Sequence, residues 1–80
     1  MSANLASIEC FQSMSEFLRF EYWISQQISE GAAVEVEVGN YYAGVNFKER
    51  WFKFETIAQV WRLVYPDGPF RGYWGQVILK

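Results

Sequence analysis

"SMSEFLRFEYWISQQISEGAAVEVEV", residues 13–38, changes its hydrophobic period partway along. Up to Glu30 the apolar residues recur at helical spacing. From Val34 onward they alternate strictly with glutamates, which is the two-residue period of a strand half-buried on one face. A helix followed at once by such a strand needs a sheet to lie on, and the rest of the chain supplies one.

The helix limits are written into the stretch. Ser13 and Glu16 form an S-x-x-E capping box: the serine oxygen accepts a free amide of the first turn, and the glutamate reaches back to the serine amide. Gly31 tolerates the left-handed conformation that ends a helix. The spacing predicts a helix over Met14–Glu30. At about 100° per residue, Phe17, Phe20, Ile24 and Ile28 fall on one stripe, bordered by Met14. Glu16, Arg19, Gln26, Gln27 and Glu30 lie away from it. Leu18 and Tyr22 form a secondary apolar edge, with Trp23 on the opposite flank.

Working outward, "LASIECF" (5–11) alternates enough for a short strand, with an earlier helix start at Ser7 as the rival reading. After the helix, Val34, Val36 and Val38 face one way, and Glu35 and Glu37 the other. "GNYYAG" (39–44) supplies turn residues. "VNFKERWFKFE" (45–55) reads as a strand in which Val45, Phe47 and Trp51 share one side and Asn46, Lys48 and Arg50 the other. Phe52 and Phe54 break that pattern, so a bulge is expected near Arg50–Phe52. "TIAQ" (56–59) is a connection, and "VWRLVY" (60–65) is the next strand.

"PDG" (66–68) is a turn with a mechanism. Pro66 pre-sets its φ, Asp67 bonds the local backbone and Gly68 accepts positive φ. Pro69 has no amide to give a central strand, so pairing resumes after it. "GYWGQVIL" (72–79) is the last strand, with Gly72 and Gly75 marking bends or close backbone approach. The expected architecture is α+β, a single domain over 1–80. An antiparallel sheet of four to five strands carries one helix on one face, in the order β-α-β-β-β-β.

Bulk composition narrows the functions. The chain has 80 residues, 51% hydrophobic and 20% aromatic, which is enough for a core without staples. One cysteine, Cys10, excludes an internal disulfide and is expected as a buried, inert thiol. No stretch reaches the roughly 18 apolar residues of a membrane span. No signal peptide is visible, and a cytoplasmic location is expected.

There is no histidine, which removes the commonest general base and a leading metal ligand. No phosphate-binding glycine loop and no nucleophile elbow appears. Glu35 and Glu37, roughly 7 Å apart at strand spacing, resemble a two-carboxylate pair, but alternating glutamates usually form a solvated face. A non-enzyme without cofactor or metal is expected.

The net charge of −2 is unevenly spread. Residues 1–40 carry six acids and one base; residues 41–80 carry six bases and three acids. The two halves either neutralise each other across the fold or give it an acidic and a basic side. If strand faces coincide, Lys48, Arg50, Phe52 and Arg62 form a basic, aromatic open sheet face, extended by Arg71 and Trp74. Such a face would suit a protein partner, since Trp, Tyr and Arg anchor interface hot spots. It would also suit single-stranded nucleic acid, although pI ≈ 5.0 argues against that. Glu35 and Glu37 offer an acidic patch to a basic partner instead. Self-association into a homodimer is the third reading.

"SMSEFLRFEYWI" (13–24) and "WRLVYPDGPFRGYW" (61–74) together resemble small bacterial α+β proteins of the immunity-protein type. These pair a short helix with a W-x-L-x-x-P hairpin. Trp61, Leu63, Pro66 and Gly72 carry the likeness, within the last third of the chain. The resemblance implies a stoichiometric inhibitor that binds a partner protein and has no catalysis of its own. Inhibitors of phages and mobile elements, such as anti-CRISPR proteins, share this size and acidity.

Overall fold

A computed structural model describes residues 5–78. Ser13 is the N-cap of helix α1 (Met14–Ser29) and accepts the Glu16 amide at 3.1 Å. The Glu16 carboxylate reaches back one residue further than the capping box predicts, to the Gln12 amide at 2.6 Å. Gly31, at φ 83°, ends the helix as expected.

Four strands follow: β1 (Ala33–Val36), β2 (Glu49–Phe54), β3 (Gln59–Val64) and β4 (Tyr73–Val77). They form one antiparallel meander in the order β1-β2-β3-β4. The fold is α+β, with α1 packed on one face of an open four-stranded sheet. No helix among the described residues is long and apolar enough to cross a membrane.

The helix face of the sheet collects Ala33, Phe52, Phe54, Trp61, Leu63 and Trp74 against Phe11, Phe17 and Ile24. Phe20, Trp23 and Ile28 close the sides. The predicted stripe of α1 is therefore its buried one. Trp74 lies at the centre, with its ring stacked on Trp61 at 5.2 Å and edge-on to Phe20 at 4.8 Å. Burial of several large rings supplies most of the driving force in so short a chain.

Several expectations change. Residues 5–11 do not form a fifth strand: Ile8 alone bridges Trp74, through two backbone hydrogen bonds of 2.8 and 2.9 Å. The segment has too few apolar residues of one parity to hold a longer pairing, since Phe11 turns inward to the core while Cys10 is exposed. The expected buried thiol is thus a surface thiol.

The bulge at Arg50–Phe52 is absent, because β2 pairs without interruption with β3 from Glu49 to Phe54 and with β1 from Trp51 to Phe54. Phe52 and Phe54 share one face and Trp51 takes the other, and both faces are covered there. Residues 45–48 precede the strand, and Val45 is 80% exposed. Leu79, at the end of the predicted last strand, lies outside the described residues.

The hairpin turn sits two residues later than "PDG" suggests. Asp67 and Phe70 exchange two backbone hydrogen bonds, so Gly68 (φ 61°) and Pro69 are its central pair. Gly72 has both a positive φ of 86° and no room: a Cβ there would lie 3.0 Å from the Val64 carbonyl and 3.1 Å from the Phe11 ring. Gly72→Ala is therefore expected to cost about 1–3 kcal/mol through backbone strain. A urea-unfolding midpoint unchanged by the substitution would contradict this account.

Candidate functional site

Two ionic clusters stand out, and the first ties the acidic part of the chain to the basic part. The first lies at the rim between α1 and the sheet. Arg50 on β2 makes a two-pronged contact with Glu35 on β1, at 3.0 and 2.8 Å. Its Nη1 donates to the Tyr65 hydroxyl at 3.1 Å, and that hydroxyl donates to Glu21 on α1. The Lys48 ammonium sits 4.8 Å from the centre of the Tyr65 ring.

The Arg50 guanidinium, by hydrogen bond and charge, holds the Glu35 carboxyl below its ordinary 4.5. Burial, and then the bond to Glu21, push the Tyr65 hydroxyl up. A carboxylate so firmly held as an anion makes a poor general acid. The sign for stability follows: Glu35 contributes above its unfolded value, and the contribution is lost as pH falls below about 4.5 through its lowered folded value. The acid limb of a pH-stability curve should therefore flatten in Glu35→Gln. Equal slopes below pH ~4.5 for the two proteins would refute the pairing as a stabilising one.

The second cluster is on the face away from α1. The Glu49 side chain is fully buried there. It accepts from the Tyr42 amide at 2.8 Å and from the Trp51 indole, and lies 3.5 Å from Arg62 Nε. Arg62 also donates to Asn40 at 3.1 Å and sits over the rings of Tyr42 and Trp51. Tyr42 stacks flat on Tyr73 at 4.2 Å, and a Cβ on Gly75 would collide with the Tyr73 ring. The β1–β2 connection is thereby folded back over one half of this face.

These contacts decide the fate of the expected open basic face. Arg50 and Phe52 are on the helix side, whereas Arg62, paired in register with Trp51, is on the far side. Arg62 is also committed to Glu49. Phe52 and Trp74 are core residues, 0% and 1% exposed, and cannot meet a partner in the folded chain. Lys48 and Arg71 are exposed; Lys48 stays beside Arg50 at Tyr65, whereas Arg71 lines a separate groove with Gln12, Ser13 and Met14. Glu35 and Glu37 are both exposed, as expected of solvated glutamates, but Glu35 is engaged by Arg50 and Glu37 lies beyond the end of β1. Among the described residues no group of three His, Cys, Asp or Glu side chains is placed to hold a metal ion.

The most prominent uncovered apolar surface is on α1. Met14, Leu18 and Tyr22 follow one another at i, i+4 and i+8, and are 56%, 53% and 66% exposed. Leu18 and Tyr22 line a shallow groove with Ser15, Arg19, Trp23 and Gln26. The sequence shows this edge through its spacing, but a second apolar stripe on a helix reads equally well as core. Only the position of the sheet reveals that nothing in the described chain covers it. No family model, curated protein or solved structure matches the chain.

Proposed function

We propose that this chain is a small, non-catalytic protein-binding module that lays the outward stripe of α1 into an apolar cleft of another protein. The observation that carries the reading is that α1 has two apolar stripes and the sheet covers only one. Contiguous exposed apolar surface of this kind marks interaction sites, and residues at i, i+4 and i+8 are how a helix presents anchors to a groove. Arg19, which lines the same groove without an ion-pair partner among the described residues, calls for an acidic group at the edge of the partner's cleft.

The immunity-protein resemblance supports the finer reading of a stoichiometric inhibitor from a bacterium or mobile element. Its four residues bear on the scaffold rather than the contact: Trp61 and Leu63 are core, and Gly72 is packed beneath Phe11. The nucleic-acid reading loses its main support because Arg62 faces away from Lys48 and Arg50, and both arginines are engaged by glutamates.

The test is capture of a partner from the native host by the wild-type chain and by Leu18→Glu and Tyr22→Gln. Both sites are exposed, so stability should hold within about 0.5 kcal/mol. Loss of a central anchor costs about 2 kcal/mol or more, roughly a 30-fold weakening. A partner held equally well by both variants, or tight oligonucleotide binding with no protein captured, overturns the proposal.

A further inference from the structure

The far face of the sheet is only half roofed. Its side chains stand in cross-strand rows fixed by the register. Val36, Trp51, Arg62 and Gly75 make one row, and Glu49, Val64 and Tyr73 the next. These rows carry the β1–β2 connection, through Asn40 and Tyr42.

The remaining row runs Val34, Lys53, Val60, Val77 across all four strands; Val77 is buried, so Val34, Lys53 and Val60 are its accessible part. Val34, on the edge strand, is 42% exposed. A groove of about 420 Å³ opens beside this row, lined by Val36, Glu37, Trp51, Lys53, Ala58 and Val60. Lys53 and Glu37 are its two charges. Neither forms an ion pair with any described residue.

We infer that this half-face is where two copies of the chain meet, with Glu37 of each copy set against Lys53 of the other across the valines. A two-fold contact uses the same patch twice, so the patch must complement itself. A strip carrying charge of one sign would repel its copy. This one carries one acid and one base, both free, around a β-branched apolar centre, and so meets the requirement. Opposed charges also fix the orientation of the two copies. The surface is separate from the α1 stripe, so the inference stands or falls independently of the binding role proposed for α1.

The test is sedimentation of the full chain over roughly 1 µM to 1 mM, a range that brackets weak dimers. The wild type should show a monomer–dimer equilibrium. Lys53→Glu and Glu37→Lys should each weaken it tenfold or more, because each sets like charges together at both contacts. An equimolar mixture of the two variants should dimerise again, since every cross-copy pair is then opposite in sign. Circular dichroism checks that both variants are folded, and Leu18→Glu should leave the dimer unchanged.

A chain that stays monomeric throughout overturns the inference. So does a dimer indifferent to both charge changes, a mixture no tighter than its components, or a dimer abolished by Leu18→Glu.

Discussion

Trp74→Ala is expected to leave a large fraction of the protein unfolded at 25 °C. The ring is 1% exposed and is the hub of the aromatic core, touching Phe20, Phe52, Phe54 and Trp61. Its backbone also holds Ile8, through the bridge that joins the N-terminal segment to β4. Removing a buried tryptophan ring costs about 3–5 kcal/mol, because the walls of the cavity relax only in part. A chain of this length has a total stability of roughly 4–12 kcal/mol, and small domains fall toward the low end.

Trp74→Phe refills part of the space and should recover about half the loss. Urea unfolding of the three proteins measures this directly. A loss below about 1 kcal/mol for the alanine variant would show that Trp74 is not a core residue.

Glu49→Ala is expected to have a comparable effect by a different route. The carboxylate is the anion that Arg62, the Tyr42 amide and the Trp51 indole all require. Its removal leaves a mostly buried guanidinium without its counter-charge and two donors without an acceptor. Breaking a buried pair from one side costs about 3–5 kcal/mol. The damage should be local first. The Tyr42 amide should lose protection from hydrogen exchange as the β1–β2 connection lifts from the sheet.

Glu49→Gln keeps an acceptor and loses the charge, and should fall between the wild type and alanine. Full retention of Tyr42 protection in Glu49→Ala would refute the role assigned to this carboxylate. The same variant bears on self-association, because lifting the connection would expose the rows beside the valine strip.

The elements were readable because each carries its own local chemistry. Ser13, Glu16 and Gly31 delimit α1 whatever it packs against. Pro66 to Pro69 force a reversal in any tertiary setting. The alternation in "AVEVEV" identifies a strand, and that strand is present as β1. The faces were not readable by the same means. In β2, Phe52 and Phe54 have one parity and Trp51 the other, and both are buried. An apolar count therefore cannot say which parity meets the helix. In β1 the small Ala33, 0% exposed, takes the core side and the valines take the far side, against the expectation that valines point inward. The β1–β2 connection offered no local signal that Tyr42 would fold back onto Tyr73.

By itself the sequence determined one capped amphipathic helix followed by antiparallel strands, and a core rich in rings. Those features depend on residues close together in the chain, acting through backbone propensity and hydrophobic period. The tertiary structure alone decided which side of the sheet each strand residue occupies. It also decided that Arg50 and Arg62 lie on opposite sides, and that the described residues leave one stripe of α1 uncovered. Strand parity gives two equivalent assignments, and only the shared register of four paired strands under one helix selects between them.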